Sequence, residues 1–206
     1  MFDRILEAAV PGVLEIFPKV FEDNRGYFFE SFSNRDLETL GLSMPFVQDN
    51  ESFSQFKVIR GLHFQLEHPQ GKLIRVVDGS ILDVALDLRV LSPTFGQHVT
   101  FLLSAWEPKL VYVPPGCAHG FLVTSRGARV QYKCTDFYCP NDQRGIFWDD
   151  PDLNIPWAKW VQREGIIISE QDNSWPYLAQ VREELIAHAE STKKYKMSQL
   201  CGKTPV

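Results

Sequence analysis

A chain of 206 residues is long enough for one full hydrophobic core and too short for two such cores with a linker between them. Its 44% hydrophobic and 13% aromatic content is that of a globular protein and excludes a disordered chain. A net charge of −5 argues against a nucleic-acid binder that works by neutralising phosphates, so a small ligand is the expected partner.

The N-terminal run Met1-Phe2-Asp3-Arg4-Ile5-Leu6-Glu7 has acids where a secretory leader needs a basic start and an unbroken apolar stretch, and no long apolar segment follows. A cytoplasmic protein with no membrane partner is expected. Cys117, Cys134, Cys139 and Cys201 form no CxxC pair and no zinc-like spacing, which predicts free thiols, with Cys117 and Cys134 as small apolar fillers.

In chain order, short runs with a period of two predict strands at Tyr27 to Phe32, Phe46 to Asn50, Val58 to Phe64, Lys72 to Val77, Ser80 to Arg89, His98 to Leu103, Leu110 to Val113, Ala118 to Val123 and Arg129 to Tyr138. Asp78-Gly79 between two of them reads as a tight hairpin. A short helix is expected over Asn34 to Leu40, capped by Asn34 and closed by Gly41. A second begins after Pro176, with Leu178, Val181, Leu185, Ile186 and Ala189 on one stripe that packs on the outside of the β core. The turn-rich segment Trp148 to Trp157 is expected to wrap an open end, and residues 191–206 to form a polar, flexible tail. Many strands and few helices imply an all-β sandwich or barrel, and residues 1–190 are taken as its single domain.

The chemistry centres on Ile59-Arg60-Gly61-Leu62-His63-Phe64-Gln65 and on Gln70-Gly71-Lys72. Alternation places His63 on the face of Gly61 and Gln65, and Gly61 removes a side chain beside it, which leaves room for a ligand. A lone histidine is more often a satisfied structural residue, and a lysine at a strand start a solvated one. Their nearness through a short loop is what turns the reading towards a shared cleft, where an ammonium stabilises an oxyanion. In Pro114-Pro115-Gly116-Cys117-Ala118-His119-Gly120, His119 has only small neighbours and is free to point into a cavity. Gln65 stands where a metal-binding barrel needs a second histidine, and a neutral amide is a poor transition-metal ligand, so metal-free chemistry is expected. Tyr132 is either core filler or a proton donor to a carbanion. Asp172 or Asp83 is the expected carboxylate partner of His63, fixing its tautomer.

Taken together and in order, Phe21-Glu22-Asp23-Asn24-Arg25-Gly26-Tyr27-Phe28-Phe29-Glu30, Gln48-Asp49-Asn50, Arg60-Gly61-Leu62-His63-Phe64-Gln65, Gln70-Gly71-Lys72, Asp83 to Arg89, Ser92 to Gly96, Pro114 to Phe121 and Tyr132-Lys133 resemble the dTDP-4-dehydrorhamnose 3,5-epimerases. The resemblance spans Val13 to Asp172. It implies a cupin jelly roll acting as a homodimer, with no metal or other cofactor, on a sugar-nucleotide substrate whose 4-keto group acidifies both flanking carbons. Carried over, His63 is the base, Asp172 its partner, Lys72 the enolate stabiliser and Tyr132 the opposing acid. Arg60 and His119 hold the pyrophosphate or sugar. Gln48, Asp49 and Asn50 hold the nucleotide end, with Tyr138 near the base and Arg25 and Glu30 reaching across the dimer. Gln143 and Gln171 depart from the pattern, which often has Glu and Lys there. A single-carbon epimerase, a metal-dependent cupin enzyme and a non-catalytic sugar-nucleotide module are the other open readings.

Overall fold

The computed structural model describes residues 1–42 and 45–201, with 194–201 in backbone only. The strands are β1 (Phe2–Glu7), β2 (Leu14–Pro18), β3 (Val20–Asp23), β4 (Gly26–Phe29), β5 (Gln48–Gln55), β6 (Ile59–Gln65), β7 (Lys72–Asp78), β8 (Ser80–Asp87), β9 (His98–Ser104), β10 (Leu110–Val113), β11 (Cys117–Val123), β12 (Gly127–Cys134) and β13 (Gln143–Gly145). Two helices join them, α1 (Asn34–Glu38) and α2 (Leu178–Cys201).

Six strands form one sheet in the order β1-β2-β10-β7-β12-β5, and five form a second in the order β13-β6-β11-β8-β9. All of their pairings are antiparallel. The sheets face each other as a sandwich. Strands β3 and β4 form a separate hairpin.

Three apolar layers account for this arrangement. Between the sheets, Ile74, Val76, Val111, Val113 and Val130 from one meet Ile81, Ala85, Phe101, Leu103, Phe121 and Val123 from the other. On the outer side of the five-stranded sheet, Leu62, Phe64, Leu82, Val84, Leu86, Ala118 and Leu122 lie under Trp148, Leu153, Ile155, Trp157, Val181 and Leu185. Strand β8 is buried on both faces, which explains its nearly unbroken apolar run. The outer side of the six-stranded sheet is covered by Leu37 of α1 with Phe32 and Phe46.

Several expectations need correction. Asp78-Gly79 is not a hairpin: β7 and β8 belong to different sheets, and the turn is the corner between them. Gly79 has φ +74°, and a Cβ there would lie 2.0 Å from the Gly127 carbonyl oxygen. Ser33 rather than Asn34 caps α1, its Oγ accepting from the Asp36 amide at 3.3 Å. The segment from Trp148 to Trp157 covers a sheet face instead of an open end, because its aromatics have the apolar residues of β6, β8 and β11 to bury. Strands β1, β2, β3 and β13 were not marked by alternation. Helix α2 continues beyond Glu190 into the segment expected as tail, whose end at Lys203-Thr204-Pro205 lies outside the described residues.

Helix α2 packs on the outer layer through Val181 and Leu185, which are buried, whereas Ile186 is 38% exposed and outside the stripe. Leu185→Ala is therefore expected to cost about 2–4 kcal/mol and Ile186→Ala less than about 1 kcal/mol. Chemical denaturation of the two variants checks the difference.

Candidate active site

The apolar filling of the sandwich stops short of one end, where inward-facing positions turn polar. Register explains which ones. On the six-stranded sheet Tyr132 lies opposite Asn50 and Ile74, and Cys134 opposite Gln48 and Lys72, so Gln48, Asn50, Lys72, Tyr132 and Cys134 share the inner face. On the five-stranded sheet His119 lies opposite His63 and Ala85, and Phe121 opposite Arg60 and Asp83.

The pairing of β6 with β11 contains a bulge. Gly61 and Leu62 on β6 face the single residue Gly120 on β11. Arg60 and His63, three residues apart, would point to opposite faces of a regular strand. With the extra residue, both line the same cavity. Gly61 adopts φ +110°, and a Cβ on it would fall 2.6 Å from Gly120 Cα and 2.7 Å from the His119 carbonyl oxygen. Its lack of a side chain thus serves a backbone contact, where the sequence suggested space for a ligand.

The cavity has two lobes. The outer, about 290 Å³, is lined by Gln48, Asn50, Gln70, Tyr138 and Gln143; the inner, about 120 Å³, by Ser52, Arg60, His119, Gly120 and Phe121. His63, Lys72 and Tyr132 line both.

His63 Nε2 is 2.7 Å from Asp172 Oδ1. The carboxylate arrives by way of Ile167, which bridges to Val58 in parallel at the start of β6 and exchanges hydrogen bonds with Lys57 and Ile59. Asp172 also accepts from the Gly61 amide at 3.2 Å and from Trp175 Nε1 at 3.3 Å. Burial alone raises its carboxyl, but the bonds from His63, Gly61 and Trp175 outweigh that and hold it below the ordinary aspartate value. An ionised Asp172 accepts a hydrogen bond from the Nε2–H of His63, which fixes the tautomer that keeps a lone pair on Nδ1.

Asp83, the rival partner, pairs instead with His119, whose Nε2 is 2.7 Å from Asp83 Oδ1. Burial pulls the Lys72 ammonium below the ordinary lysine value, opposed by Cys134 and Asp83. Burial pushes the Tyr132 phenol up, helped by Cys134 and opposed by Arg60, so it is a proton carrier at neutral pH. Burial raises the Cys134 thiol as well, which keeps it an unreactive wall, and takes Cys117, in the core, to about 12.

In the inner lobe, Arg60 is anchored by Nε to Ser54 Oγ at 2.9 Å. Gln48 donates to Asn50 Oδ1 at 2.9 Å and accepts from the Tyr138 amide at 2.8 Å, while the Tyr138 hydroxyl donates to Gln143 Oε1. Asp49, on the other face of β5, pairs with Lys133 at 2.6 Å and stands outside the cavity. Arg25 and Glu30 are also outside it: Arg25 is on the β3–β4 hairpin bound to Asp23, and Glu30 just beyond it bound to the N-terminus at 2.8 Å. Gln171 is exposed next to Asp172. Both ends of the Gln65 amide are engaged, Nε2 donating to the His68 and Phe137 carbonyls and Oε1 accepting from Cys139, so it ties two loops beneath the cavity. Among the described residues, no group of three or more His, Cys, Asp or Glu side chains could hold a metal ion.

Residues 7–180 match the family model of the dTDP-4-dehydrorhamnose 3,5-epimerases. The chain belongs to that family. It is 46% identical over 172 residues to the dTDP-4-dehydrorhamnose 3,5-epimerase of Methanothermobacter thermautotrophicus, covering 84% of this chain and 92% of the relative. The Pseudomonas aeruginosa epimerase is 47% identical over 80% of this chain and 90% of its own. A crystal structure of the Legionella pneumophila epimerase in complex with dTDP-4-keto-L-rhamnose is similar with a TM-score of 0.83 and 42% identity, over 88% of this chain and 96% of that one.

Trp175, to which the sequence drew no attention, also packs on the His63–Asp172 pair: its ring meets His63 edge-on at 6.3 Å, and a Cβ on Gly145 would lie 2.5 Å from its indole. A tryptophan three residues after a dyad carboxylate was the available signal. The bulge yields a test. Gly61→Ala is expected to lower stability by more than about 2 kcal/mol and to displace Arg60 from the cavity, as read by chemical denaturation and by the variant's crystal structure.

Proposed function

We propose that this chain inverts C3 and C5 of a nucleotide-linked 4-keto-6-deoxyhexose, a dTDP sugar, by removing and returning protons through an enolate. The observation that carries this reading is an imidazole and a protonated phenol on facing sheets of one cavity, with the Lys72 ammonium lining both of its lobes from the strand beside Tyr132. A carbon next to a ketone needs nothing more for inversion: one group takes the proton from one side, a cation holds the enolate oxygen, and another group returns a proton from the opposite side.

In this reading His63 Nδ1 removes the proton, Asp172 orients the ring, Lys72 faces the enolate oxygen and Tyr132 reprotonates. Arg60 and His119 bind the anionic part of the substrate. Gln48, Asn50 and Tyr138 line the nucleotide end, and Asp49 supports it from behind through β5. A homodimer brings Arg25 and Glu30 of one copy to the nucleotide of the other. The fold is a cupin jelly roll, residues 1–190 are one domain, and the enzyme works in the cytoplasm on activated deoxysugar for surface polysaccharide. It is an isomerase that uses no metal.

In heavy water the enzyme is expected to place deuterium at both C3 and C5. Deuterium at one carbon assigns single-carbon inversion, and none at either overturns the proposal. His63→Asn should reduce exchange by about 10³-fold or more, whereas Tyr132→Phe should keep exchange and lose inverted product by about 100-fold. Because Lys72 acts as the charged form and burial favours its neutral form, kcat/KM should fall with rising pH at a point below the ordinary lysine range of about 10.4, as a pH–rate profile checks.

A further inference from the structure

One wall of the outer lobe is built from two loops, residues 66–71 between β6 and β7 and residues 135–142 between β12 and β13, which carry Gln70 and Tyr138 and lead into Gln143. Glu67, His68, Pro69, Phe137 and Asn141 on these loops are exposed, so apolar packing does little to hold them. The side chains buried among them are polar: Gln65, Thr135 and Asp142. Thr135 Oγ1 accepts from the Gly71 amide at 2.7 Å, and Gln65 Nε2 donates to the His68 and Phe137 carbonyls.

Asp142 is the charged member of the three and makes the most bonds. Its Oδ1 accepts from the amides of Leu66 at 3.2 Å and Glu67 at 3.0 Å, and its Oδ2 from those of Glu67 at 3.1 Å and His68 at 2.8 Å. Three successive amides thus form a concave set of donors around one carboxylate. Burial alone would raise its carboxyl, but the bonds from Glu67, His68 and Leu66 outweigh that and hold it below the ordinary aspartate value.

We propose that Asp142 is a positioning residue for the nucleotide end of the substrate: its carboxylate clasps the loop after β6 to the loop before β13 and so fixes the wall that presents Gln70, Tyr138 and Gln143. This rests on the epimerase reading above. The proton-transfer groups are held independently of the clasp. Lys72 is paired with Val113 and Cys134, Tyr132 with Asn50 and Ile74, and His63 with His119 and Asp172. Loosening the clasp therefore weakens substrate binding and leaves the chemical step in place.

The test is Asp142→Asn, which removes the charge and turns one acceptor into a donor facing other donors. Without substrate, amide hydrogen exchange over residues 66–71 and 139–143 should accelerate about tenfold or more while β8 is unchanged. With the 4-keto sugar nucleotide, KM should rise about tenfold or more and kcat stay within about twofold of wild type. Unchanged loop exchange in the folded variant overturns the proposal, and so does a fall in kcat at unchanged KM. A wild type with no turnover overturns the epimerase reading and with it the assignment of this wall to a nucleotide, while loop exchange still decides whether Asp142 holds the loops. If Asp142→Asn does not fold, the wild type decides. A ligand that needs the clasped wall suppresses its opening, so dTDP at about a hundredfold above its Kd should slow exchange of the Leu66, Glu67 and His68 amides about tenfold or more. Bound dTDP with no slowing at these amides overturns the proposal.

Discussion

The backbone contact between Gly61 and Gly120 is the constraint on which the site depends. Any side chain on Gly61 would meet the facing strand at 2.6 Å, so β6 and β11 approach closely enough there to accommodate the bulge. Two consequences follow from that local irregularity. Arg60 joins His63 on the cavity wall instead of pointing to the outer layer. The Gly61 amide becomes free to receive the Asp172 carboxylate, which is delivered from more than a hundred residues away and then bonds His63. A single break in strand pairing thus orients His63, docks its carboxylate partner and brings a guanidinium to the wall of the inner lobe.

The rest of the sandwich supports this by being dry where the site is wet. Apolar side chains from both sheets fill most of the interior, and the polar residues are confined to one end. Burial is what differentiates the groups there. It makes the Lys72 ammonium easier to deprotonate and the Tyr132 phenol harder, while hydrogen bonds keep Asp172 ionised against the same burial. One low-dielectric enclosure therefore holds an oriented imidazole and a protonated phenol, from side chains whose intrinsic properties do not single them out.

The strands of the two sheets that carry alternating or strongly apolar runs were legible in the sequence, and so was the ordered set of motifs that marks the family. Strand β13 was not, since Gln143-Arg144-Gly145 has no apolar alternation and is held by its pairing with β6. The Asp78-Gly79 turn has the composition of a hairpin, and only the tertiary separation of β7 from β8 makes it a corner. His63, Lys72 and Tyr132 could be named from residue type and the family pattern. The inward turn of Arg60, the choice between Asp83 and Asp172, and the place of Trp175 depend on a bulge and on long-range docking, neither of which leaves a periodic trace.

The proposed chemistry requires His63 and Tyr132 to lie on opposite sides of a keto sugar bound in one cavity. A crystal structure with a bound 4-keto sugar nucleotide or an unreactive analogue tests it most directly. The sugar ring is expected between the sheets, with His63 Nδ1 over one face, Tyr132 Oη over the other and Lys72 at the ring's carbonyl oxygen. A sugar lying outside the lobes, or His63 and Tyr132 on the same face of the ring, would contradict it.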